Sequence, residues 1–343
     1  MSRRIAFIDL AKGFCIILVV LNHVMQSENL FVNQFFLYLR LPLYFFLSGL
    51  FFKDYGSLMN FMVKKTNKLL IPYISLYAIT IIGLESVLCI ILGRDYDWNI
   101  WYSYYTETSY KNTPIWFLLC LFEVNVIFYI LIILSRKKVV LLVVLCLLTG
   151  LLGYSNLSHY PFYLDSALTV IPFYLCGYLF KNYSEILYPN RFDKWNLLLS
   201  FLCLVGYCLL IPGVFTGNLP YVSYGWNLYE LDILRLYLSA LVGILMVLFF
   251  AKHWEHLPFI SYIGRYSIII LGTHQLVHLL VLDKCFSFFP SSILLLCLKF
   301  FLCLFISSLL IPLCRKYFPY FFAQKDLLPY ERKNGQWSRI SVG

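Results

Sequence analysis

Residues 3–23, Arg-Arg-Ile-Ala-Phe-Ile-Asp-Leu-Ala-Lys-Gly-Phe-Cys-Ile-Ile-Leu-Val-Val-Leu-Asn-His, join an apolar run to groups that move protons and bind anions. Asp9 and Lys12 sit in its first turns and His23 closes it. At 100° per residue Lys12 and His23 lie about 20° apart around a helix axis and about 16 Å apart along it, with Asp9 about 40° from His23. A single polar stripe therefore climbs a helix otherwise fit for hydrocarbon. Ionisable groups are costly there, so each one marks a functional candidate. Imidazole has an ordinary pKa near neutrality, which makes His23 the candidate general base or nucleophile. Asp9 and Lys12, at i and i+3, either line a path along the helix or pair with each other.

The remaining ionisable residues sort by depth once the spans are read. With odd-numbered spans running outward and even-numbered spans inward, His23, Arg40, Asp165, Asp232, Arg235, His274 and His278 fall in the outer half, and Glu123 near mid-depth. Lys64, Lys65 and Lys68 gather at the inner surface, just before Leu69-Leu70-Ile71-Pro72 opens the third span. A carboxylate such as Glu123 or Asp165 would orient His23. Structural explanations compete with these roles: an Arg or Asp at a helix end snorkels, and Asp232 with Arg235 makes a local i, i+3 pair. Taken together, a polar cavity opening outward and a basic patch opening inward describe a protein that handles two ligands from two sides.

The elements that position these residues are helices in a bilayer. A chain of 343 residues that is 61% hydrophobic and 13% charged, with a mean hydropathy of +0.77, is too apolar for a soluble domain. We expect an all-α polytopic membrane protein of about ten transmembrane helices, over 5–25, 36–52, 71–93, 114–134, 139–155, 165–180, 195–211, 231–251, 260–282 and 290–314. Residues 1–315 form the membrane domain and 316–343 a short tail. The first segment lacks a small-residue cleavage site and is retained. Most of the 27 Lys and Arg fall in alternate loops and in the tail, which places both termini in the cytoplasm of a cell whose plasma (inner) membrane the chain crosses. The net charge of +10 thus reports topology and does not imply nucleic acid. The opposite side has two loops of substance, 94–113 and 212–230, rich in Tyr, Trp, Asn and Gly, as in an interfacial belt or a sugar-contacting rim. The eleven cysteines lie almost entirely in apolar spans with no C-x-x-C pair, and the histidines are scattered, so neither a metal nor a permanently bound cofactor is expected.

The sequence resembles the acyltransferase 3 family of integral membrane acyltransferases, in its fucose 4-O-acetylase-like branch. The resemblance is carried by Arg4-x4-Asp9-x2-Lys12-Gly13 leading to Leu21-Asn22-His23, by Pro42-Leu43-Tyr44-Phe45-Phe46-Leu47-Ser48-Gly49, and by Lys64-Lys65-x2-Lys68-Leu69-Leu70-Ile71-Pro72. Ile115-Trp116-Phe117-Leu118, Leu164-Asp165-Ser166-Ala167-Leu168, Pro172 to Tyr178, Ile263-Gly264-Arg265-Tyr266-Ser267-Ile268 and His274 extend it. It implies transfer of an acyl group, usually acetyl, from cytoplasmic acyl-CoA (acetyl-CoA) to a hydroxyl of an extracytoplasmic glycan or lipid-linked glycan. His23 stands at the family's helix-one histidine, acting as base or carrying the acyl group. Lys64, Lys65 and Lys68, with Lys12 along the path, would meet the acyl-CoA. Lys65-x-x-Lys68 occupies the place of an arginine pair and offers phosphate a point charge instead of a bidentate fork. Asp9, Arg40, Trp116, Arg235 and His274 are the acceptor-side or supporting residues, and Arg40 stands where the branch commonly has histidine. The alternative class is a transporter or flippase for a glycan or its precursor, since intramembrane charge also marks substrate paths. No repeated half or matching pair of broken spans favours it.

Overall fold

The computed structural model describes residues 6–25, 31–93, 95–96, 98, 112–136, 138–155, 160–181, 193–290 and 292–329. Arg3, Arg4, Lys137, Arg191, most of the 94–113 loop and the tail beyond 329 lie outside the described residues. The chain is helical nearly throughout. In order come α1 (Ala6–Met25), the short α2 (Phe31–Phe35), α3 (Leu37–Leu50), α4 (Leu58–Ile91), α5 (Trp116–Leu134), α6 (Val139–Ser155) and α7 (Leu164–Phe180). There follow α8 (Lys194–Leu210), a hairpin of β1 (Val222–Ser223) and β2 (Leu228–Tyr229), α9 (Ile233–Trp254), α10 (Pro258–Arg265), α11 (Ser267–Leu276) and α12 (Ile293–Tyr317). Among the described residues seven helices are long and apolar enough to cross a membrane, and α3, α6 and α8 are shorter apolar helices. Their outward faces carry exposed Ile90, Val140, Leu209 and Leu294, a surface that lipid solvates and water does not.

Two differences from the sequence reading concern helix ends. The third span begins earlier than 71, because Ser57 caps α4 by accepting from Asn60 N at 3.1 Å and a π-helical turn at Thr66–Leu70 carries the helix through the lysines. At 34 residues α4 is about 51 Å long, well beyond a hydrocarbon core, so its lysine-bearing first turns project past that core. The expected 260–282 span is two helices, broken at Tyr266 between α10 and α11. A further π-helical stretch, Val277–Leu282, prolongs α11. Cys285, beyond it, is exposed, unlike the buried or partly buried cysteines elsewhere.

The glycines in the sequence motifs are crossing points. A Cβ on Gly13 would strike the Ile260 carbonyl and one on Gly264 the Asp9 carbonyl, so α1 and α10 touch backbone to backbone there. Gly49 and Gly177 make the same reciprocal approach between α3 and α7, each facing a carbonyl of the other helix. Close packing of this kind is how helices associate where the hydrophobic effect gives no drive. It fixes α1 and α3, the two helices whose end turns carry His23 and Arg40.

Pro42 shapes the same region. It has no N–H for the Tyr38 carbonyl four residues earlier, and the Tyr224 hydroxyl of the hairpin loop donates to that carbonyl at 3.3 Å. The hairpin is tied down further by Tyr38 OH to the Pro220 carbonyl at 2.5 Å and by Asn227. The Asn227 amide donates to the Gly153 carbonyl at 2.8 Å, and its oxygen accepts from Thr169 and Tyr229, each at 2.9 Å. Asn227 holds a left-handed conformation at φ 49°, which asparagine tolerates better than most residues. The 212–230 loop is therefore a fixed cap over the helix ends.

Candidate functional site

Under that cap lies a cavity of about 480 Å³. Helical spacing builds its walls. From α1 come Val19, Asn22 and His23 at i, i+3 and i+4; from α3 come Leu37, Arg40, Leu41 and Tyr44 at i, i+3, i+4 and i+7. Thr113, Pro114, Trp116 and Phe117 close the α5 side, and Tyr221 to Trp226 of the hairpin form the roof. Trp116 packs at 5.1 Å between ring centroids on Tyr163, and the backbone of Gly225 lies against its indole. The result is a partly open cavity with aromatic walls and several polar groups, suited to a small polar ligand.

The ring beside His23 is His274, with centroids 5.4 Å apart and planes at 52°. His274 is fully buried, and its Nδ1 lies 2.8 Å from the Ile270 carbonyl. A carbonyl only accepts, so Nδ1 carries the proton and Nε2 holds a lone pair when the ring is neutral. That Nε2 is buried with no hydrogen-bond partner. An oriented acceptor therefore sits against the helix-one histidine. One turn on, His278 Nε2 lies 3.5 Å from Asp283, whose carboxylate is held by Lys299 at 2.7 Å.

The sequence matches the acyltransferase 3 family, described as an acyltransferase domain, over residues 5–312. The chain belongs to that family. No curated protein and no solved structure matches it. The matched region takes in every wall of the cavity and nearly all of the described helices, so the membrane acyltransferase and the bundle described above are the same unit.

The acyltransferase brings together His23, Arg40, Trp116 and, one layer behind, His274. Among the described residues it does not bring a carboxylate to His23. Glu123 and Asp165, on α5 and α7, lie close enough to feel each other's charge, and neither lines the cavity. Asp165 spends one oxygen on the Ser166 amide at 2.8 Å, at the start of α7. Arg235 also lies apart: Asp232 caps α9 through the Arg235 amide at 3.0 Å and pairs with its guanidinium at 3.4 Å, with both side chains more than half exposed. That is the local pair its spacing allows, not a cavity residue. Lys12 has its ammonium 5.1 Å from the Phe51 ring centroid, about 16 Å along α1 from His23. Asp9 sits where α10 crosses α1.

The lysine cluster is bound to the chain's own tail. After α12 the segment 323–328 folds back so that Asp326 accepts from Lys64 at 2.8 Å and faces Lys68 at 3.1 Å. Lys68 also donates to the Ala323 carbonyl at 2.7 Å. Buried Asn67 binds the same segment through both ends of its side-chain amide: its nitrogen donates to the Leu328 carbonyl, and its oxygen accepts from the amides of Leu327 and Leu328 at 2.8 and 2.7 Å. Lys65 stands apart from this network, with its ammonium 5.4 Å from the Phe61 ring centroid. Three lysines against one carboxylate leave a surplus of positive charge. Among the described residues no group of three or more His, Cys, Asp or Glu could hold a metal ion.

Tyr163, Tyr221, Ser223 and Trp226 line the cavity without having been named individually from the sequence. For three of them the signal was the aromatic content of 212–230. Tyr163 carried none, because its place depends on the left-handed turn at Phe162 and Tyr163, φ 65° and 68°, before α7.

Proposed function

We propose that this acyltransferase moves an acetyl or other short acyl group from acyl-CoA to a hydroxyl of an extracytoplasmic glycan, with His23 as general base. One observation carries the reading: His23 lies in the wall of an aromatic cavity within the region that matches the family. A His23 nitrogen takes the hydroxyl proton as the acceptor oxygen attacks the thioester carbonyl. The tetrahedral intermediate collapses with cleavage of the C–S bond, and the imidazolium returns its proton to the departing thiolate. Ester and CoA thiol are the products. His274 serves as a positioning residue: its ring packs against that of His23 and its unpartnered Nε2 offers an acceptor beside it. The surplus charge at Lys64, Lys65 and Lys68 suits the CoA phosphates. The excess of cations at that end of the bundle supports a cytoplasmic side for it.

The test is His23→Ala and His23→Gln, purified at matched yield and assayed for acyl transfer from acetyl-CoA to surface glycan. Both are expected to lose activity by about 100-fold or more, the range for removal of a general base. Near-normal transfer by either variant would reduce His23 to a packed core residue.

A further inference from the structure

Arg40 lies in the first turn of α3 and faces the cavity, with its Nη1 buried and without a hydrogen-bond partner. Among the described residues it forms no ion pair, and no Asp or Glu lines the cavity. Three other cations have a counter-ion: Lys64 is matched by Asp326 at 2.8 Å, Lys299 by Asp283 at 2.7 Å and Arg235 by Asp232 at 3.4 Å. A guanidinium stays charged at every physiological pH, and a half-buried charge without a counter-ion is unfavourable. An uncharged residue of similar size would fill this wall at lower cost. The charge is therefore explained by what enters the cavity.

We infer that the cavity accepts a glycan bearing a forked oxyanion next to the reacting hydroxyl, and that Arg40 selects for it. The anion is either the carboxylate of an acidic sugar or the diphosphate that joins a glycan to a lipid carrier. Both present two oxygens to the planar guanidinium, a geometry lysine cannot match. The aromatic walls at Trp116, Tyr221 and Trp226 cover the sugar faces while the anion fixes register. His23 lines the same cavity, so an anion anchored on α3 presents the sugar to the base on α1. This assignment rests on the acyl transfer proposed above and adds the class of acceptor.

Three matched acceptors test it with purified enzyme and acetyl-CoA: a uronic-acid oligosaccharide, its carboxyl-reduced counterpart, and the reduced glycan on polyprenyl diphosphate. Wild type is expected to favour at least one anionic acceptor over the neutral one by about 10- to 100-fold in kcat/KM, the worth of a hydrogen-bonded charge pair. Which of the two is favoured names the source of the anion. Arg40→Gln should collapse the preference, mainly through KM, and Arg40→Lys should keep part of it. Equal use of all three by wild type overturns the inference. So does an Arg40→Gln loss confined to kcat and equal on charged and neutral acceptors, which would assign Arg40 to the oxyanion of the intermediate. Binding without turnover separates the two levels. A melting temperature raised by the uronate and not by its reduced counterpart supports the acceptor class even if no acyl transfer occurs, whereas transfer without such discrimination supports only the reaction.

Discussion

At the hairpin end of the bundle Arg40 faces a cavity with no carboxylate among the described residues of its wall, while at the far end Lys64 and Lys68 close on Asp326 at 2.8 and 3.1 Å. The 25 residues of α12, about 37 Å of helix, join the two regions, running from near Lys299 to the segment that binds the lysines. At one end the protein supplies the counter-charge itself, so those cations also serve to hold the fold. At the other end it withholds the counter-charge, and a ligand must bring it. The same reasoning separates the histidines: His278 has Asp283, whereas His23 forms no ion pair among the described residues and has the His274 imidazole beside it. A charged residue's partner, more than its identity or depth, tells whether it belongs to the architecture or to the chemistry.

The largest expected effect is all-or-none and asks whether the two ends face different compartments. Exposed positions suit the experiment: Asn218 in the cap and Lys53 between α3 and α4 are both exposed, whereas Asn67 and Asn112 are 1% and 0% accessible. In a Cys285→Ser background, needed because Cys285 is exposed, Asn218→Cys should react with a membrane-impermeant maleimide in intact cells. Lys53→Cys should react only after permeabilisation. Labelling of Lys53→Cys in intact cells would put both regions on one side and remove the case for a donor and an acceptor arriving from opposite faces.

A several-fold effect is expected at Lys65, which sharpens the contrast within the lysine cluster itself. Lys65 makes no ion pair among the described residues, whereas Lys64 is engaged by Asp326. Lys65→Ala should raise KM for acyl-CoA by about fivefold to tenfold with kcat unchanged, the signature of lost uniform binding. Lys64→Ala should change it less, and Lys65→Arg should keep or lower KM. Steady-state kinetics with acyl-CoA varied at saturating acceptor decide it; an unaltered acyl-CoA dependence in Lys65→Ala would leave the lysine as a topology signal.

How much of this was legible in the sequence follows the same division. The stripe from Lys12 to His23 and the spacing of Leu37, Arg40, Leu41 and Tyr44 are local patterns, and a helix places such residues on one face whatever surrounds it. The seven longer helices were legible because apolar length is a property of each segment alone. Pairings between segments were not. Asp326 meets Lys64 across 262 residues, and His274 reaches His23 only because α11 packs on α1. Glu123 and Asp165 had the right chemistry and depth to orient His23, yet they sit on α5 and α7 beside each other. The motif glycines were visible as letters, but their reason, carbonyl against glycine in the α1–α10 and α3–α7 crossings, exists only in three dimensions.

The smallest expected effect concerns Asp326, where the partner supplied by the chain can be removed. Burial alone raises this carboxyl, but hydrogen bonds and charge from Lys64 and Lys68 outweigh it and hold the group below its ordinary value. A depressed folded value adds stability that is fully present above the unfolded value of about 3.9 and is lost as pH falls through the folded one. Tail docking should therefore be constant from pH 5 to 8 and weaken only below about pH 4. The pair is partly solvated, with side-chain exposures of 17% for Lys64 and 20% for Asp326, so solvent screening limits its worth to about 1 kcal/mol or less. Asp326→Asn at pH 7 should then speed hydrogen exchange of the Leu327 and Leu328 amides by no more than about fivefold, because both still donate to Asn67. Asn67→Ala, which removes that shared acceptor, should speed it more. After correction for intrinsic exchange, the difference between wild type and Asp326→Asn should close only below about pH 4, where the wild-type carboxyl is neutral too. Closure between pH 5 and 7 would mean that the carboxyl is not depressed and that the lysines at this end are as uncompensated as Arg40 at the other.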